Sequence, residues 1–96
     1  MIVSKMQVNK KDMAVINMAM AVTEKVASKF LFTDISESNL SCLAGEATRA
    51  FRQAIGERYF VDIATMKTYK FKYISVHVDN IEQDITLVPK FEEVEV

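Results

Sequence analysis

The chain has 96 residues, of which 50% are hydrophobic and 26% charged, with a formal net charge of −1. This is the composition of an ordinary globular protein, and the length suits one domain, 1–96, with its own core. The near-neutral balance excludes a global field that would draw nucleic acid or anionic lipid.

The charge is segregated along the chain. Residues 1–33 carry five lysines against Asp12 and Glu24, whereas residues 79–96 carry Lys90 alone against Asp79, Glu82, Asp84, Glu92, Glu93 and Glu95. A basic front and an acidic end attract each other within one chain or between two copies. Cys42 is the one cysteine, so no intrachain disulfide forms and a reducing, cytoplasmic setting is expected. Residues 1–5 lack the apolar core of a signal peptide. The most apolar stretch, residues 13–22, is broken by Asn17 and is too short for a bilayer, so no membrane partner is expected.

Taken in order, residues 2–8 alternate Ile2, Ser4, Met6 and Val8 against Val3, Lys5 and Gln7, the pattern of a short N-terminal edge strand. Asn9 or Asp12 supplies an N-cap, and a first helix is expected over about 10–31. Val15, Ile16, Ala19, Met20, Val22, Val26, Ala27, Phe30 and Leu31 share one side of it. Asn17, Glu24, Lys25, Ser28 and Lys29 share the other, softened by Ala14, Met18 and Ala21.

A second helix is expected over about 36–55. Asp34 caps its free amides while Glu37 reaches back, with Ser38 as a competing cap. Its apolar stripe is Leu40, Leu43, Ala44, Ala47, Ala50, Phe51, Ala54 and Ile55. Gly56 is placed to end it, because glycine enters the left-handed region without a Cβ clash.

From Tyr59 the apolar period changes from helical to alternating. Strands are expected over 59–64, 68–78, 83–88 and 91–96, with Asp79 and Asn80 in a turn and Pro89 as an interruption. The long strand carries Tyr69, Phe71 and Tyr73 at odd positions, then Ile74, Val76 and Val78 at even ones. One phase cannot bury both sets, so either a β-bulge near Tyr73 or cover on both faces is required. The fold class is α+β: two amphipathic helices packed on an antiparallel sheet of three to four strands, with the short N-terminal strand at its edge.

Catalytic signatures are missing. There is no phosphate loop, no nucleotide-binding glycine pattern, and no Cys or His pair at metal spacing, so no catalytic residue, cofactor or metal ligand is assigned. His77 is the single histidine and reads as a strand histidine at a surface or interface rather than a general base. Cys42, early in the second helix, reads as an incidental small residue rather than a reactive thiol.

Three groups remain. Tyr69, Phe71 and Tyr73 alternate with Lys70 and Lys72, a spacing that resembles RNA-recognition strands without their small intervening residues or their element order. Aromatics packed under the helices, with lysines outside, are the simpler reading. Arg49, Arg52 and Gln53, with Glu46, form either a solvated helix face or a site for an acidic partner or small anionic ligand. Met13, Met18 and Met20 crowd the first helix, whose apolar arc exceeds one packing partner and points to self-association.

The function expected is that of a non-enzymatic binding module, an adaptor, sequestering factor or inhibitor. It acts as a homodimer or larger homo-oligomer on a partner protein or small anionic ligand. Single-stranded nucleic-acid binding through residues 67–73 is the alternative, and a small enzyme built on His77 or Cys42 comes last.

Overall fold

The computed structural model describes residues 1–30, 37–79 and 84–95. Strand β1 (Ile2–Val3) leads to helix α1 (Lys10–Ala27), a 3-10 turn (Ser28–Phe30) and helix α2 (Glu37–Ile55). Strands β2 (Tyr59–Asp62), β3 (Lys67–Asp79) and β4 (Asp84–Glu93) follow. The sheet is antiparallel throughout, in the order β1-β4-β3-β2, with the helices on one face. The expected α+β architecture therefore holds, with four strands. The expected Asp34 cap, the Asn80 turn position, Leu31 and Val96 lie outside the described residues.

Local chemistry explains the helix ends. Asn9 is the N-cap of α1: its side-chain oxygen accepts the Asp12 N–H at 2.8 Å. Asp12 is thereby left to pair with Arg58 at 3.3 Å, tying the start of α1 to the segment before β2. The helix ends at Ala27 and tightens into the 3-10 turn, short of the expected 31. Gly56 terminates α2 at φ +67°, and its N–H donates to the Arg52 carbonyl at 2.9 Å.

The core is built from spacing of four on both helices. Leu43, Ala47, Phe51 and Ile55 are the buried row of α2, as the apolar stripe requires. On α1 the buried row is Ala19, Thr23 and Ala27, while Val22, expected inside, is exposed. The correction has a physical cause. A row of small side chains lets α1 settle against α2, and the buried Thr23 hydroxyl donates to the Ala19 carbonyl at 2.7 Å, so no polar group is stranded. Hydrophobicity alone could not put a threonine there.

Aromatic rings join the layers. Phe51 lies 4.4 Å from Phe71 and 6.3 Å from Phe91, and Phe60 meets Phe91 edge-on at 5.7 Å.

Pro89 does not interrupt the sheet. The expected strands 83–88 and 91–96 are one strand, β4, in which Pro89 stands opposite Ile74. The Ile74 N–H points away from β4, to Thr48 of α2. Ile74 and Pro89 are therefore a non-hydrogen-bonded pair, and the missing proline N–H faces the outer edge of β4, where β1 reaches only Phe91 and Glu92. Similarly, the N-terminal alternation yields only the two residues of β1, and Gln7 instead accepts the Ile63 N–H at 2.8 Å.

Removing the central ring should be costly. Phe51→Ala is expected to destabilise the fold by about 3–5 kcal/mol, and Phe51→Leu by much less. Urea denaturation followed by circular dichroism measures both.

Candidate functional site

The site grows out of the slip in β3. Phe71 stands opposite Phe91, but the next paired residue is Tyr73, opposite Lys90, so Lys72 is the extra residue of a β-bulge. Before the bulge the odd residues face the helices, and after it the even ones do. Tyr69 is 2% exposed, Phe71 8% and Ile74 1%, whereas Tyr73 turns outward at 39%. The three aromatics thus do not share a face. Two belong to the core, and the bulge is the resolution of the phase conflict.

Helix α2 holds the bulge. The Arg52 Nη2 donates to the Lys72 carbonyl at 2.7 Å, and the Ile74 N–H donates to Thr48 Oγ1 at 2.9 Å. Thr48 and Arg52 are one helical turn apart, so a single face of α2 satisfies both backbone groups. The Arg52 guanidinium also sits 5.5 Å from the centre of the Phe71 ring. Strand β2 begins at Tyr59, opposite Lys70, and α2 is the neighbour of β3 at the bulge.

Beyond the bulge, among the described residues, neither sheet edge has a strand partner. Residues 73–79 of β3 and 84–90 of β4 pair only with each other. The register places Asp79 directly opposite Asp84 at the tip of this hairpin.

A groove of about 740 Å³ runs between α2 and the bulge end of the β3 edge, lined by Ala44, Gly45, Thr48, Arg49, Arg52, Gln53, Gly56, Glu57, Tyr73 and Ile74. Arg49, Arg52 and Gln53 are exposed, and Arg49 pairs loosely with Glu46 at 3.4 Å. Of the residues singled out from sequence, the groove brings together Arg49, Arg52, Gln53 and Tyr73. Lys70 and Lys72 are exposed instead on the far side of the sheet, where Lys72 pairs with Glu92 at 3.5 Å. A smaller pocket of about 360 Å³ around Arg52, Arg58, Tyr59 and Lys70 adjoins the groove.

The methionines divide. Met20 packs against the core, while Met18 is 52% exposed and Met13 is exposed as well. Cys42 is exposed on α2. Ser75 Oγ and His77 Nε2 lie 3.0 Å apart on the helix-free face, where His77 is exposed and open to water. Thr48 was missed by sequence reading, because a hydroxyl aimed at a strand amide has no spacing signature.

Among the described residues, no helix is long and apolar enough to cross a membrane, and no cluster of His, Cys, Asp or Glu is arranged to hold a metal ion. No protein-family model, curated protein or solved structure matches the chain.

The contact between α2 and the bulge is testable on its own. Thr48→Val keeps the side-chain shape but removes the acceptor for the Ile74 N–H. It is expected to cost about 1–3 kcal/mol and to speed amide exchange at Ile74, read by two-dimensional NMR.

Proposed function

We propose that the chain is a non-enzymatic, protein-binding module that takes an extended acidic segment into the groove between α2 and the open β3 edge, and that it works as a homo-oligomer in a reducing, cytoplasmic setting. The observation that carries this reading is the meeting of two features in one groove. The outer flank of β3, to which no strand pairs past Lys70 among the described residues, forms one side, and Arg49 and Arg52, both exposed, stand on the other. Main-chain pairing at a sheet edge supplies affinity without sequence demands, and arginines beside it select carboxylates. Such a module acts by occupancy, as an adaptor, sequestering factor or inhibitor.

The other readings draw less support. Stacking of nucleic-acid bases would need Tyr69, Phe71 and Tyr73 together on an open face, and the first two are buried. The Ser75–His77 pair is exposed on the helix-free face, and none of the described grooves includes either residue.

Titration of the full chain with a capped peptide alternating glutamate and valine tests the reading. Saturable binding is expected, weakened about tenfold or more by Arg49→Glu and by raised salt. Binding that is absent, or indifferent to both changes, contradicts it.

A further inference from the structure

We propose that the outward side of α1 is a second docking surface, one that takes an acidic amphipathic helix of a partner protein. It stands apart from the groove, which no residue of α1 lines.

Spacing defines the surface. Lys11, Ala14, Met18, Ala21 and Lys25 follow one another at intervals of three and four, so they share one side of the helix, and all five are exposed. The buried row of Ala19, Thr23 and Ala27 lies on another side, so the packing of α1 on α2 leaves this stripe open. Side chains at such intervals form the seam that one helix offers another. Ala14 and Ala21 are small enough for a second backbone to approach closely. Met18, 52% exposed, stands between them as a flexible apolar knob, and Val22, 43% exposed, widens the apolar strip beside it.

Charge selects the occupant. Lys10 and Lys11 stand at one end of the strip, and Lys25 and Lys29 at the other, all exposed. Among the described residues none of the four has an ion-pair partner. The acids of this helix are Asp12, which Arg58 holds at 3.3 Å, and Glu24, and together they leave the surface basic. A second copy does not fit. Paired antiparallel, with Met18 over the partner's Ala21, each copy would lay Lys10 and Lys11 on the basic end of the other. Paired parallel, every lysine would meet its own mate. Lysines within a helix seam exclude such self-pairs, which leaves self-association to other surfaces. A helix with an apolar seam flanked by glutamates meets both basic ends with opposite charge.

Fluorescence anisotropy of a labelled, capped peptide titrated with the full chain tests the proposal. The probe is as long as α1, with leucine at intervals of three and four and glutamate on both sides of that seam. Saturable binding is expected, weakened about tenfold or more by Met18→Glu and by Lys11→Glu/Lys25→Glu. Both changes fall at exposed positions and leave the core untouched. The Lys11→Glu/Lys25→Glu chain is expected to gain affinity for the same peptide carrying lysine in place of glutamate. Arg49→Glu, which alters the groove, is expected to leave the affinity for the acidic helix within about twofold. The proposal is overturned by absent binding, or by equal binding of a peptide of the same composition with its seam scrambled. Loss of binding through Arg49→Glu instead of the changes on α1 overturns it too, because the peptide then occupies the groove. So does a dimer, seen by sedimentation velocity, that Met18→Glu dissociates, because a second copy then covers the surface.

Discussion

The extra residue at Lys72 sets the direction of every side chain in β3, and α2 holds it there. Before the bulge, Tyr69 and Phe71 enter the core. After it, Ile74 does, and Tyr73, Ser75 and His77 turn to the helix-free face. A regular strand would force a choice between burying aromatics and burying aliphatics. The bulge avoids that choice at the expense of two backbone groups that lack a strand partner, the Lys72 carbonyl and the Ile74 N–H. Arg52 and Thr48 supply those partners from a single turn of helix. The packing of α2 on the sheet and the register of the sheet are thus one constraint, with Phe51 against Phe71 as its apolar component.

The open edges follow from the same arrangement. At the bulge α2 occupies the flank of β3, β2 begins only at Tyr59, opposite Lys70, and among the described residues no other strand pairs with the rest of the hairpin. Pro89 belongs to this picture. It sits where its missing N–H faces an edge that no other strand of the sheet reaches, which is the position a strand tolerates. The outcome is a domain with a closed aromatic core and, among the described residues, a strand edge that no other strand pairs with, near a groove that two arginines line. That combination suits occupancy by another chain better than it suits chemistry on a small substrate.

Much of this was legible in the sequence, for identifiable reasons. The spacing of four from Leu43 to Ile55 gave α2 its buried row, Gly56 marked its end, and the clash of phases between Phe71 and Ile74 called for either a bulge near Tyr73 or cover on both faces, of which the structure has the bulge. What could not be read was whatever depends on a partner element. Thr23 is buried because α1 and α2 meet there and its hydroxyl finds the Ala19 carbonyl, a fact about packing rather than polarity. Arg52 looked like a free surface charge, yet it donates to a backbone carbonyl, and carbonyls carry no signature in the sequence. Pro89 was read as a break because its place at an open edge is a property of the sheet order, not of the neighbouring residues. The grouping of Arg49, Arg52, Gln53 and Tyr73 was only half visible, since the first three share a helix face while Tyr73 joins them through the bulge.

The central claim is that β3 reverses its facing at Lys72. The most direct measurement is proton NMR of the tyrosine rings in the presence of a soluble paramagnetic relaxation agent. Tyr59 and Tyr73 should broaden strongly while Tyr69, four residues from Tyr73 on the same strand, stays sharp. Equal broadening of Tyr69 and Tyr73 would mean that they share a face, and would contradict the account.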